Sequence, residues 1–427
     1  MTKQHSTKSQ FFALLIIGVL FFIFGFVTWL NGVLIPFLKT ACELTTTEAF
    51  FVATAFYIAY FVMAIPVSFL LKSAGFVNSM SIGLIIMMAG SLLFIPAAYS
   101  REYWVFLIAL FIQGTGLTLL QTAVNPYVAL LGPVESAAKR ISIMGVANKL
   151  AGAFSGIILG SILLSKSDSE ILADLNLLDA AQKALYLDDM AQKVIGPYIL
   201  MAAVLLLLAL MVRYARLPEI ANEEPDAKFS FKGIPTYAWL GFLAIFFYVG
   251  AEVVVGDSII LYGRYLNPNP LLINLFGYSI NLLNPSYFTS YVMAGMIIGY
   301  FIGIALIPKV ISQQNALKLF AISALLFTSL ALISNGITSL IFIALLGISN
   351  SVMWPAIWPL AIEKTGSKTP IISALLIMGI IGGALMSPIF GQLADLMNMH
   401  LAYLLLLPCY LFVLFYAAIG HKINKKY

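Results

Sequence analysis

A lysine and two acids stand inside otherwise apolar stretches of this chain: Lys149, Glu252 and Asp257. Burying such a charge away from water is costly unless it is paired or lines a wet cavity, so each is a functional candidate by default. Amides and aromatics stand in similar apolar settings. Asn31 lies beside Gly32 and near Pro36; Gln113, Gln121 and Asn125 share one stretch; Asn148 precedes Lys149; Tyr248 and Glu252 share another; and Asn350 is followed by Trp354 and Trp358, each ahead of a proline. Amides and acids offer the directional donors and acceptors that sugar hydroxyls need, and an indole face can stack on the apolar face of a pyranose ring. Each also has a plainer role available. A membrane Asn or Gln often bonds only a neighbouring helix, the i,i+4 tryptophans pack on one helical face, and Lys149 with Glu252 could form a static ion pair.

The elements that must hold these residues are long apolar runs. A hydrocarbon core about 30 Å thick needs roughly 20 helical residues to cross it, and twelve stretches reach that length. They cover approximately 11–38, 49–71, 77–99, 103–131, 141–165 and 196–214, then 237–262, 287–308, 315–334, 338–361, 370–394 and 401–420. With 61% hydrophobic and 10% charged residues, too little polar surface exists to coat a soluble globule of 427 residues. The expected architecture is all-α and integral to the membrane: two pseudo-symmetric six-helix halves, 1–214 and 237–427, joined by a cytoplasmic linker at 215–236. That linker carries Arg216, Glu219, Glu223, Glu224, Asp226, Lys228 and Lys232 with Pro218, Pro225 and Pro235, a composition that cannot build a core. Another polar stretch, 165–195, alternates apolar and charged residues and predicts short amphipathic helices at the outer surface, as a lid or as packing. The first apolar run is too long for a cleaved signal peptide and is expected to stay as an anchor.

Orientation follows from the cations. Of 23 Lys and Arg, sixteen fall on the side of the N-terminus by loop parity, while Lys39, Arg101, Lys166, Lys183, Lys193 and Arg264 fall on the other and Lys149 lies within a span. The positive-inside rule then puts both termini and the linker in the cytoplasm of a multi-pass protein of the cell's inner membrane. The net charge of +5 is topological, with no nucleic-acid patch in it. Cys42 and Cys409 are far apart and read as packing residues. Histidines occur only at His5, His400 and His421, without metal-ligand spacing or a nucleophile motif, which argues against an enzyme and leaves no cofactor implied.

Four motifs carry a family resemblance. The runs from Gln121 through Asn125-Pro126 to Tyr127, from Phe247-Tyr248 to Glu252, from Asn350 to Pro355, and from Ile380 through Pro388 to Asp395 resemble the fucose–galactose–glucose symporters of the major facilitator superfamily, over nearly the whole chain. The glucose/galactose members are the most similar, sharing Gln at the position of Gln121 and the Gly-x-Glu pattern around Glu252. The resemblance implies a monosaccharide carrier that works by alternating access as a single chain. Its cavity would be lined by Asn31, Gln121, Asn125, Asn148, Tyr248, Glu252, Asn350, Trp354 and Trp358. It also exposes departures. The fucose-type pattern has acids where this chain has Gly32 and Gln121, which cannot titrate, and a small polar residue where it has Lys149. Three outcomes stay open: sodium coupling through Glu252 or Asp257, proton coupling through Glu252 and Lys149, or uncoupled facilitation. A multidrug exporter and a sugar sensor that no longer transports are the rival readings. Asp395, outer by parity, is expected to be a helix-end charge rather than part of an inner gate.

Overall fold

The structure is a computed structural model. It describes residues 7–423 except 131–136, 165–170, 172–174, 176–177, 216, 219–232, 276–277, 308–309, 364 and 366–367. Most of the predicted linker, and the first part of the predicted outer amphipathic segment, lie outside the described residues.

Apolar runs become helices because only a helix satisfies every backbone polar group within its own segment. Along the first half these are α1 (Thr7–Trp29), α2 (Asn31–Ala41), α3 (Thr46–Ala49), α4 (Phe51–Val62), α5 (Ala64–Ser100), α6 (Tyr103–Leu130), α7 (Ala137–Leu163), α8 (Ala180–Gln192) and α9 (Ile195–Tyr214). The second half contributes α10 (Thr236–Leu266), α11 (Phe288–Leu306), α12 (Gln313–Ile333), α13 (Gly336–Ser351), α14 (Met353–Ile362), α15 (Thr369–Met378), α16 (Ile381–Leu396) and α17 (Leu406–Ala418). Among the described residues, eleven helical segments are long and apolar enough to cross a membrane, and the shorter apolar segment Thr46–Val62 accounts for the predicted second span. That span runs on into the start of α5, and the second crossing is separated from the third by a sharp turn at Gly75. Its φ of 77° is a backbone conformation that costs glycine little.

Several crossings are broken near their middles: the first at Leu30, the tenth at Val352 and the eleventh at Gly379–Ile380. In the tenth, Pro359 cannot donate to the carbonyl of Pro355 four residues back. Gln313 of α12 supplies the missing donor, its amide nitrogen reaching Pro355 O at 2.8 Å and Ala356 O at 3.2 Å.

The helices pack in two groups. In the first half α5 packs on α6 and α9, and α1 on α7; in the second, α11 and α12 pack on α13, and α10 on α16 and α17. The groups meet mainly at the end of the bundle away from the chain termini, where α2, α3, α4 and α7 of the first half touch α10, α11 and α16 of the second. Phe50 meets Phe390 edge-on at 5.4 Å, Thr54 Oγ1 donates to Ala384 O at 2.7 Å, and Ser290 Oγ donates to Ala153 O at 2.6 Å. Asp395 lies at this end as expected, and its carboxylate bridges the halves. It accepts from Thr46 N (3.1 Å), Thr47 N (2.7 Å) and Thr47 Oγ1 (2.7 Å), at the first turn of α3.

Two features cover this end. The amphipathic α8 starts from a capping box, Asp179 with Gln182, and is tied to the first half by Lys183–Glu43 (2.6 Å) and Arg101–Asp188 (3.1 Å). Between α10 and α11 stands a short antiparallel hairpin, β1 (Leu272–Leu275) and β2 (Tyr278–Asn281), paired from Leu272↔Asn281 to Leu275↔Tyr278. The sequence reading did not anticipate it. Its signal was there in Leu272-Ile273-Asn274-Leu275 and Tyr278-Ser279-Ile280-Asn281, two short apolar–polar runs either side of Gly277. Cys42 and Cys409 are free thiols, so no disulfide joins them.

Candidate substrate and ion site

Lys149 on α7 and Glu252 on α10 come from different halves and meet at mid-bundle, Nζ to Oε1 at 2.9 Å. Their exposures of 8% and 9% leave them buried but not sealed. The ammonium also stands 4.4 Å from the centroid of the Trp29 ring, a cation–π contact from the end of α1. Lys149 therefore has both the partner its depth demands and an aromatic face. Tyr248, one turn before Glu252, lies beside its carboxylate, and Tyr300 and Tyr410 are within its electrostatic reach. The result is an acid held by one cation and ringed by phenols.

Around this pair stand buried polar side chains whose bonding capacity is unused. Asn31, 1% exposed, has neither its amide oxygen nor its nitrogen bonded, and lies beside the Tyr57 hydroxyl. Asn350, also 1% exposed, is unpartnered at both atoms and lies beside the equally unpartnered Tyr410 hydroxyl. Each stands near a helix break: Asn31 opens α2 immediately after Leu30, and Asn350 is the last residue but one of α13, two before the break at Val352. Asp257 is fully buried with both carboxylate oxygens unpartnered. It follows Gly256, whose missing side chain makes room for the Trp29 ring and whose carbonyl accepts from Thr289 Oγ1 at 2.9 Å.

The remaining sequence candidates are placed elsewhere. Asn148 is half-buried and its amide donates to Phe21 O at 3.4 Å, a bond between α7 and α1. Gln113 donates to Ser91 Oγ at 2.8 Å and so ties α6 to α5. Gln121 is half-buried on α6, and Asn125, one turn further toward the chain-termini end of that helix, is exposed. Trp354 and Trp358 are half-buried on α14 with ring centroids 5.4 Å apart. Six candidates thus gather at mid-bundle: Asn31, Lys149, Tyr248, Glu252, Asp257 and Asn350. Sequence reasoning passed over Trp29, Tyr57, Tyr300 and Tyr410, which are ordinary apolar-span aromatics until the fold turns them toward the acids.

The geometry is that of a carrier: two helical groups closed on one another at one end, with charges and orphaned amides at the middle. Residues 17–370 match the Major Facilitator Superfamily. A glucose/galactose transporter of Brucella abortus is 34% identical over 99% of this chain and 97% of its own length. The chain belongs to that superfamily, in its fucose–galactose–glucose symporter group. Members of the Major Facilitator Superfamily are membrane transporters, and this chain is one of them rather than an enzyme. A putative glucose/galactose transporter of Helicobacter pylori is also 34% identical, over 94% of the chain and 95% of its own length. The L-fucose-proton symporter of Escherichia coli is 30% identical over 88% of the chain and 85% of its own length. The crystal structure of the E. coli fucose:proton symporter superposes with a TM-score of 0.72 at 26% identity, covering 96% of this chain and 99% of that one. A related crystal structure of that symporter, with the same TM-score, is in the outward conformation. The superfamily fold therefore holds the Lys149–Glu252 pair where the two halves meet.

Proposed function

We propose that this chain imports a monosaccharide, a hexose of the glucose/galactose kind, by alternating access driven by a cation gradient. The observation that carries the reading is the cross-half Lys149–Glu252 pair at mid-bundle, flanked by the unused amides of Asn31 and Asn350. Buried amides without partners are expensive. A polyhydroxylated ring entering between the halves would satisfy them with hydroxyls that both donate and accept, and Glu252 with its phenols would take further hydroxyls. An apolar drug would leave the same groups unsatisfied, which disfavours the exporter reading. The names of the relatives support the same substrate class. Hydrogen-bonding sites of this kind reject analogues lacking a hydroxyl far better than they sense an extra methylene.

In this reading residues 1–214 and 237–427 move as two halves, the single chain is the working unit, and Gln121, Asn125, Trp354 and Trp358 line the path toward the termini, while Asn148 ties α7 to α1. The chain sits in the inner membrane with both termini cytoplasmic, so the closed end of the bundle faces outside. Uptake of a labelled hexose panel into proteoliposomes, under a proton gradient, a sodium gradient or neither, tests the proposal. Accumulation of at least one hexose above equilibrium under one gradient is the expected result. Hexose binding without accumulation under either would favour a sensor, and binding of hydrophobic cations without hexoses an exporter.

A further inference from the structure

The indole that lies against Lys149 is itself held between the halves. Trp29 is the last residue of α1 and is 2% exposed. Its five-membered ring is seated on Gly152 of α7, in its own half, where a Cβ would stand 2.5 Å from Cδ1 and 2.9 Å from Cγ. Its six-membered ring is seated on Gly256 of α10, in the other half, where a Cβ would overlap Cζ3 outright and stand 3.0 Å from Cε3. Both places are close approaches of ring to backbone that glycine alone leaves open. The same neighbours fix the height of the ring in the bundle. Lys149 Nζ is 4.4 Å from its centroid, so one edge of the ring borders the buried ion pair. Gly152 follows Lys149 by three residues and Gly256 follows Glu252 by four, which puts both about 5–6 Å nearer the closed end. Beyond the ring the halves meet through small residues: Gly32 of α2 faces Thr289 and the Gly256 carbonyl, and Gly156 of α7 faces Ser290.

Trp29, Gly152 and Lys149 all belong to the first half. When the halves part at the closed end, the ring keeps its contacts with the other two and loses Gly256, so this part of its seat exists only while that end is shut. The indole N–H is buried without a partner among the described residues, a cost carried by the shut state. Water or a sugar hydroxyl relieves that cost on parting, which keeps the seat reversible. Packed contacts of this kind have discrete arrangements and do not deform continuously. We infer that Trp29 is a gate residue of this transporter: seated on Gly256, it seals the sugar site toward the closed end, and with its ring it positions the Lys149 ammonium for Glu252. The inference rests on the alternating-access reading above and deepens it by naming the contact that closes the site.

The test uses the full chain in proteoliposomes, with spin labels at Glu48 on α3 and Gln392 on α16, both exposed at the closed end. Gly256→Ala puts a methyl group where the ring must sit, so the ratio of long to short distances should rise about tenfold or more. Hexose exchange should fall with it. Adding Trp29→Leu to Gly256→Ala removes the ring that the methyl group strikes, and should return the ratio to within about threefold of wild type and recover part of the exchange. Two variants need no change at Gly256 and decide the matter should Gly256→Ala fail to fold. Trp29→Leu alone leaves a void in the seam and should favour the open state about threefold or more, whereas Trp29→Phe, which keeps an aromatic ring on the seat, should stay nearer wild type. The inference is overturned if Gly256→Ala or Trp29→Leu keeps the wild-type ratio, if the double variant stays as open as Gly256→Ala, or if Phe and Leu at position 29 open the seam alike. The distances need no sugar, so the two readings fail separately. A wild type that moves no hexose, with distances that respond as expected, would sink the sugar reading and leave the gate. Unresponsive distances in a protein that does take up hexose would sink the gate and leave the sugar reading.

Discussion

The Lys149–Glu252 contact is where residue chemistry and transport meet. Burying both charges is costly, and their mutual attraction at 2.9 Å offsets much of that cost, so removing one partner is worse than removing both. Lys149→Ala or Glu252→Ala alone should lower stability by about 3–5 kcal/mol, the usual range for a charge left unpaired inside a protein. The double variant Lys149→Met with Glu252→Leu should recover most of that stability in a detergent melting assay while remaining unable to bind hexose. A double variant that binds normally would remove the pair from the site. Glu252→Gln keeps the shape and the acceptor oxygen but strands the ammonium, so hexose affinity should drop by at least tenfold, read by isothermal titration. The amides can be tested separately. Asn350→Ala removes two unused hydrogen-bonding atoms from mid-bundle and should weaken hexose binding by about 1–3 kcal/mol with little loss of fold stability. Asn125→Ala, at an exposed position nearer the termini, should cost less. A larger effect at Asn125 than at Asn350 would move the binding site toward the open end of α6.

At the scale of elements, the closed end is held by contacts that must break in each transport cycle. Asp395 is the clearest of them, because one carboxylate from α16 accepts three bonds from the first turn of α3 in the other half. Acids at a helix N-terminus interact favourably with its unbonded N–H groups and dipole. Asp395→Ala should therefore favour the state that is open at this end, by about 1–2 kcal/mol or a five- to thirtyfold change in the ratio of states. Spin labels at Glu48 and Gln392, both exposed on opposite sides of the seam, would report the change as a longer distance population in the variant. An unaltered distance distribution would make Asp395 a surface cap without a gating role. Much of this level was legible in the sequence. Among the described residues, apolar runs of the right length located the eleven long crossings and the shorter Thr46–Val62, and parity put Asp395 at the end away from the termini, where it lies. What the sequence concealed were breaks and pairings. The sharp turn between the second and third crossings depends on one glycine, and the partner of Pro355's freed carbonyl is a glutamine more than forty residues earlier. The hairpin was missed because strands of four residues lack the length that made every helix plain.

For the whole molecule, the site was legible in kind but not in membership. Polar residues at membrane depth pointed to crossings that the structure brings together at mid-bundle, since a charge or amide there needs a reason. Which of them converge depended on how two groups of helices face each other, and that is set by packing along hundreds of residues rather than by any local pattern. Asn148 and Gln113 turned inward to bond their neighbours within the first half, while aromatics with no polar signal beyond a phenol or an indole completed the centre. The closed end is opposite the termini, so the orientation of the chain decides which stage of the cycle this arrangement represents. Sixteen Lys and Arg on the termini side against six on the other argue that the termini are cytoplasmic and that the halves are shut toward the outside. An importer shut toward the outside is at the release stage of its cycle. Two single cysteines in a background lacking Cys42 and Cys409 test this. Leu272→Cys, on the exposed strand of the hairpin, should react with a membrane-impermeant maleimide in intact cells. Lys422→Cys, exposed beyond the last crossing, should react only after permeabilisation. The reverse pattern would turn the molecule over, making the same closed end cytoplasmic and the same arrangement the loading stage of an importer.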